Sequence, residues 1–214
     1  MDGNKLTEEK NRFKIILQIL AKEYPFANIQ LEHSSPFELL VATMLSAQCT
    51  DKRVNEVTAK LFIKYKSPED FIKLPAEELE KEIFSTGYYK AKAKHIKATS
   101  VVINNNFNGK VPNTMEKLLT LPGIGRKSAN VILGYCFNTP GVVVDTHVIR
   151  ISNRLGFVQT NNADKIEKIL EDLIPKNKWV AFTHYFINHG RQVCVSRKPK
   201  CNICTIAQLC PSKK

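Results

Sequence analysis

Four cysteines in the last 21 residues hold the densest chemistry of this 214-residue chain. They follow the pattern Cys194-x6-Cys201-x2-Cys204-x5-Cys210, four thiols within 17 residues. Thiolates are soft metal ligands, and short gaps let four of them converge on one centre at low loop-closure entropy. The spacing predicts one closed metal site and leaves its occupant open between structural zinc and an iron–sulfur cluster. Zinc usually sits on two tight Cys-x2–4-Cys pairs, and only Cys201 and Cys204 are that close here. From Arg191 to Lys214 there are six Lys or Arg and no acid. Such a tail lacks the apolar material to order itself. Cys49 and Cys136 lie in apolar helical contexts and read as core residues.

A second constellation is Leu121-Pro122-Gly123-Ile124-Gly125-Arg126-Lys127-Ser128-Ala129, which spells helix, tight turn, helix. Two glycines two residues apart permit positive φ and let the backbone approach a ligand closely. The amides of Gly123 and Gly125, at the start of the following helix, suit a phosphate oxygen. Lys127 falls in that helix's first turn, where the dipole and Arg126 both disfavour its ammonium form. A neutral amine there can attack a sugar C1′ and form a Schiff base. A phosphate-contacting or solvated lysine is the plainer reading of the same residue. The third constellation, Val142-Val143-Val144-Asp145-Thr146-His147, delivers a carboxylate to a helix N-cap position. Capping alone accounts for Asp145. A capped carboxylate is also held rigidly enough to stabilise an oxocarbenium-like sugar or to direct a water.

The elements that position these residues are helical. Apolar periodicity predicts helices over residues 7–24, 35–47, 51–65, 91–105, 126–135, 146–155, 162–174 and 179–190. Short helices start at Ser67, Pro75 and Thr114. Val142–Val144 is the one candidate strand, so the expected fold class is all-α. Thr139-Pro140-Gly141 is the best candidate for a domain crossing. With 43% hydrophobic and 24% charged residues the chain is globular rather than disordered. Its longest uncharged stretch, Ser128 to Val144, is too interrupted to span a bilayer. The N-terminus lacks the apolar run of a secretory signal, which places the cysteines in a reducing cytosol. A net charge of +12, from 25 lysines and seven arginines against 20 acids, points to a polyanion. The lysine excess favours backbone phosphates over base reading.

Leu-Pro-Gly-Ile-Gly-Arg-Lys, Val-Asp-Thr-His, the four-cysteine tail and Leu45-Ser46-Ala47-Gln48-Cys49-Thr50-Asp51, in their chain order, resemble the endonuclease III family of DNA glycosylases. The resemblance runs from about Phe13 to Cys210. It implies an all-α fold of two helical domains flanking a DNA-binding cleft, with a helix-hairpin-helix motif and a C-terminal [4Fe-4S] cluster loop. It is this likeness, not the spacing, that turns zinc toward iron–sulfur. The implied domains are a six-helix barrel over 27–138, its hairpin motif at about 114–135, and a discontinuous domain of 1–26 plus 139–214 with the cluster loop at 194–210.

By the same resemblance Lys127 is the nucleophile and Asp145 the assisting carboxylate. Gly123, Gly125 and Arg126 hold the DNA backbone, and Gln48 fills the space left by a flipped nucleotide. Tyr88 stands in a second intercalating loop, Thr86-Gly87-Tyr88-Tyr89-Lys90, where a smaller aliphatic wedge is common. An aromatic wedge there could stack on an orphaned base for about 1–3 kcal/mol. His147 lies beside the carboxylate, in a DNA-binding or a structural role. Arg197, Lys198 and Lys200 present cations to phosphates, and Lys90, Lys92 and Lys94 are further candidates for the DNA-facing charge. Cys194, Cys201, Cys204 and Cys210 hold the cluster. The implied function is bifunctional excision of damaged pyrimidines from double-stranded DNA by a cytoplasmic, nucleoid-associated monomer with no membrane partner. Alternatives are a monofunctional thymine or uracil mismatch glycosylase and a non-catalytic helix-hairpin-helix DNA-binding module.

Overall fold

The computed structural model describes residues 3–25, 29–139 and 141–213. Pro140 of the expected domain crossing and the Met1-Asp2 start lie outside them. Eleven α-helices follow one another among the described residues, beginning with α1 (Gly3–Glu23). Next come α2 (Pro36–Leu45), α3 (Asp51–Lys64), α4 (Pro68–Lys73), α5 (Ala76–Ile83), α6 (Tyr89–Phe107), α7 (Met115–Leu118) and α8 (Arg126–Cys136). The last three are α9 (Thr146–Arg154), α10 (Ala163–Leu173) and α11 (Trp179–Gln192). The chain divides into two compact units, Ile29–Thr139 and the paired segments Met1–Asn28 and Pro140–Lys214.

Local sequence sets where the helices begin. Ser35, Thr50, Ser67, Thr114, Asp145 and Asn162 each cap a helix by accepting an N–H bond from its first turn. These bonds satisfy donors that the helix itself cannot. Ser67 and Asp70 form a reciprocal capping box. The amides of Lys66 and Ser67 donate to the Asp70 carboxylate and hold it below the usual carboxylate range.

In the unit Ile29–Thr139, every residue of α2 from Phe37 to Leu45 is buried. A helix buried on all sides belongs at the centre of its unit, and α3, α6 and α8 pack against it. In the other unit the core gathers around Phe13, whose ring lies 4.5 Å from Phe157 and 5.8 Å from Phe182. α1 supplies Phe13, Ile16 and Leu20 to this core, each at 0% exposure. The i, i+3, i+7 spacing of these residues is the expected helical stripe.

Val142–Val144 corrects the expected strand. The run has no strand partner among the described residues. Its side chains are instead buried, Val142 at 0% and Val144 at 9% exposure, in the core around Phe13. Burial rather than a ladder uses the β-branched residues here. The cysteine tail also has local structure, with short 3-10 turns at Cys201–Ile203 and Ala207–Leu209.

Candidate functional site

The hairpin between α7 and α8 is anchored by apolar residues on its inner side. Leu118, Leu121 and Ile124 are buried, and the Ile124 N–H donates to the Leu121 carbonyl at 3.1 Å. The Thr99 hydroxyl donates to the Pro122 carbonyl at 2.7 Å, tying the turn to α6. Gly123 has φ +81°, and a Cβ there would meet the His95 ring at 3.0 Å, so both conformation and space require glycine. Gly125 differs. It is extended at φ −103°, and a Cβ on it would meet nothing within 4 Å. Its missing side chain therefore leaves open the outer face, where the N–H groups of α8 begin without a side-chain cap. Arg126 and Lys127 are exposed on that first turn, while Ala129, Asn130, Ile132 and Leu133 fill the buried face.

Gln48 and Tyr88 belong to the same unit as the hairpin. Both are exposed, both adopt left-handed backbone (φ 54° and 48°), and both line one cavity with Lys92, His95, Gly123 and Ser128. α2 stops at Leu45, two residues short of the expected end, and the Ser46 hydroxyl donates back to the Thr43 carbonyl at 2.8 Å. Gln48 lies beyond the helix end. The lysines of α6 divide. Lys90 and Lys94 are exposed, but Lys92 is buried at 5% exposure and donates to the Leu45 and Thr86 carbonyls, each at 2.8 Å. Lys92 thus differs from the expected exposed cation: although it lines that cavity, two of its three donors are spent on carbonyls inside the unit.

Asp145 belongs to the other unit. It caps α9, and Oδ1 accepts both the His147 and the Val148 N–H at 2.9 Å. Both capping bonds fall on one oxygen, so capping does not use Oδ2. His147 is half-buried, with Nδ1 3.0 Å from Arg150 Nη2. It packs so tightly on Gly190 that a Cβ there would lie 2.6 Å from Nδ1.

Cys194, Cys201, Cys204 and Cys210 all line a single cavity, and none forms a disulfide. Burial pushes the Cys204 and Cys210 thiols up, and the neighbouring cysteines push them further. Such a thiol quartet needs a positive centre to become thiolate. The loop that carries it is held by arginines. Arg154 donates to the carbonyls of Cys194, Val195 and Ser196 and to Cys194 Sγ at 3.2 Å. Arg150 bonds the Cys194 and Gly190 carbonyls. Arg12 reaches the Leu209 and Leu155 carbonyls with its carbon 4.1 Å over the Phe157 ring. His189 is buried, which pushes its pKa down to about 4. The Tyr24 hydroxyl lies 3.2 Å from its Nδ1 and Cys204 Sγ 3.6 Å from its Nε2. With Tyr24 donating to Nδ1, the Nε2 proton points to the sulfur. Between the first two cysteines, Arg197, Lys198 and Lys200 are all exposed.

Residues 41–176 match the model of the HhH-GPD superfamily of base excision DNA repair proteins. Over 209 residues the chain is 47% identical to endonuclease III of Synechocystis sp., covering 97% of this chain and 95% of that one. It is 40% identical over 199 residues to endonuclease III of Escherichia coli K12, covering 93% and 94%. The chain belongs to the endonuclease III family.

Solved structures agree. Endonuclease III in a non-covalent DNA complex and in a trapped covalent DNA intermediate each superpose with a TM-score of 0.91 at 43% identity, covering 95% of this chain and 96% of theirs. A thermostable thymine-DNA glycosylase superposes with a TM-score of 0.87 at 25% identity, covering 95% and 97%. Sequence reasoning missed several residues around the endonuclease III-like motifs. Arg150 and Arg154 stand at i, i+4 on α9, a spacing that puts both on one face toward the loop. His189 in His-Gly-Arg, just before Cys194, was also legible as a basic residue near thiols. Tyr24 had no local signal, since its partner lies 165 residues away, and the burial of Lys92 was hidden because one of its two carbonyls lies 47 residues away.

Proposed function

We propose that Lys127 is the nucleophile of this base-excision repair enzyme, a DNA glycosylase that also cleaves the abasic site it makes. The observation that carries this is the exposed lysine on the uncapped first turn of α8, directly after the Gly123–Gly125 turn. The open N–H groups of that turn hold a DNA phosphate, with Arg126 adding charge. The target nucleotide must leave the base stack before its C1′ is reachable. Gln48 and Tyr88 enter the space it leaves.

The Lys127 amine attacks C1′, and the base departs with the glycosidic electron pair and takes up a proton. The attacking nitrogen gives up a proton, and the C1′–O4′ bond then breaks with its electrons and a proton going to O4′. The imine so formed acidifies the C2′ hydrogen. Its loss expels the 3′ oxygen and cuts the strand. Asp145, fixed through Oδ1, stabilises the positive charge that develops on the sugar and exchanges protons through Oδ2. The substrate is double-stranded DNA with a damaged pyrimidine, in the bacterial cytoplasm. A thymine mismatch glycosylase needs no amine nucleophile, and the higher identity to endonuclease III favours the lyase reading.

The four-cysteine cavity is the site of a [4Fe-4S] cluster, held by Cys194, Cys201, Cys204 and Cys210. Four thiols around one cavity fit such a cluster, and the likeness to endonuclease III, rather than the donor set, favours it over a single zinc. When bound, the cluster supplies the folding free energy that this core-poor loop lacks. The loop's Arg197, Lys198 and Lys200 then meet phosphates.

The test is cleavage of a thymine-glycol duplex and an abasic-site duplex by wild type and Lys127→Gln. Wild type is expected to nick both, and the variant to bind both and nick neither. Nicking by the variant at the wild-type rate sinks the reading. Iron and acid-labile sulfide in the purified protein test the cluster separately, and stoichiometric zinc without iron refutes it.

A further inference from the structure

The buried ammonium of Lys92 ties together the two segments that end in Gln48 and Tyr88. It sits in the first turn of α6 and donates to two carbonyls at 2.8 Å. Leu45 is the last residue of α2, and Thr86 is the last of a 3-10 turn at Phe84–Thr86. Carbonyls at helix ends lack partners within their own helix and carry the negative end of its dipole. One ammonium satisfies both.

Within three residues of each carbonyl a non-glycine residue adopts unfavourable backbone. Four non-glycine residues have positive φ among the described residues: Gln48, Tyr88, Asn108 and Asn138. Asparagine tolerates that region, whereas glutamine and tyrosine do so poorly. Gln48 lies three residues past Leu45, and Tyr88 lies two past Thr86. The two costly conformations therefore stand shortly downstream of the two carbonyls that Lys92 holds. Both tips are exposed, and both line the cavity that Lys92 lines. Strain persists only where the surroundings over-determine it, and Lys92 is the shared constraint.

We propose that Lys92 is a positioning residue, a strut that fixes the separation of the Gln48 and Tyr88 tips so that they enter a duplex as one unit. This rests on the reading of Gln48 and Tyr88 as the residues that fill the space of a flipped nucleotide. The strut makes the enzyme selective for paired DNA. An abasic site in a duplex needs both tips to open the stack, while one in a single strand needs neither.

α6 contains its own control. Lys97 donates to the carbonyls of Phe71, Ile72 and Leu74 at the end of α4. The chemistry is the same, an ammonium on helix-end carbonyls, but it does not line the cavity of the tips. A stability loss of the general kind appears in Lys97→Met as well as in Lys92→Met. Only the second disturbs the tips.

The experiment uses the purified enzyme with its metal centre intact and measures single-turnover cleavage of an abasic site in duplex and in single-stranded DNA. A 2-aminopurine beside the site reports opening of the stack. Lys92→Met is expected to slow duplex cleavage about 10-fold or more and to blunt the 2-aminopurine signal, with less than about 2-fold change on the single strand. Lys97→Met is expected to change both substrates alike. Lys92→Arg keeps a cation in the core but alters its span, and a duplex-selective loss of about 3-fold or more is expected even if Lys92→Met fails to fold. Equal effects on both substrates, or no effect of Lys92→Arg, overturn the strut. The double variant Gln48→Ala, Tyr88→Ala separates the two claims. If it shows no duplex-selective loss, the reading of the tips fails. If it does and the Lys92 variants do not, only the strut fails.

Discussion

The hairpin around Gly123 and the loop around the four cysteines both present exposed cations, yet they are held in opposite ways. Leu118, Leu121 and Ile124 bury the inner side of the hairpin, and His95 fills the space beneath Gly123. The cysteine loop instead contributes Ile206 and Ala207 to burial, and its backbone is held by Arg12, Arg150 and Arg154. The contrast teaches that the first region is fixed by apolar packing and the second by polar clamps, to which the proposed cluster would add its own hold. Only the second should depend on what its thiols bind.

Removing the proposed cluster is expected to give the largest effect. In the chelated protein, hydrogen exchange should show backbone amides from 193 to 213 losing about 100-fold or more of their protection, while α2 and α8 keep theirs. Equal loss in both regions would erase the distinction. Phe13→Ala should destabilise the unit that carries the cysteines by about 3–5 kcal/mol, measured by denaturant unfolding with the centre intact, because its fully buried ring cannot be replaced. Arg154→Met should cost about 2 kcal/mol, since it leaves several loop carbonyls without a charged donor. The loss should be smaller once the centre is removed, because the clamp then has no ordered loop to hold.

pH offers a further contrast. Burial pushes the pKa of His184 down to about 4. Its unfolded value near 6.5 is higher, so the unfolded chain binds the proton first as pH falls. Stability of that unit is fully present above about 6.5 and declines toward about 4. His184→Gln should flatten the fall of Tm between those values, and an unchanged slope would show that the histidine is not neutral in the folded state. The smallest stability effect is expected for Asp145→Asn. Asparagine caps as well as aspartate, so stability should move by less than about 0.5 kcal/mol. Turnover should nevertheless drop about 100-fold or more. Full activity in Asp145→Asn would reduce the carboxylate to a cap.

Much of the fold and of the site is legible in the amino-acid sequence. Helix starts are readable because their signals are local: Ser35-Pro36, Ser67-Pro68 and Asp145 each announce a first turn through their own side chains. The cysteine pattern and the Gly-x-Gly turn are readable because their chemistry depends on short spacing. What escapes depends on distant partners. Val142–Val144 has strand composition, but core burial decides its form. Lys92 looks like any lysine of a basic helix, and only the carbonyls of Leu45 and Thr86 reveal that it is buried. The split between Gly123 and Gly125 is equally hidden, since conformation and space require glycine only at Gly123.

The central claim is that Lys127 forms the covalent bond to DNA, and mapping the attachment site tests it most directly. Borohydride reduction during turnover of an abasic duplex, followed by protease digestion and mass spectrometry, should place the deoxyribose remnant on the peptide containing Lys127. An adduct on any other amine, or no adduct despite strand cleavage, would contradict the account.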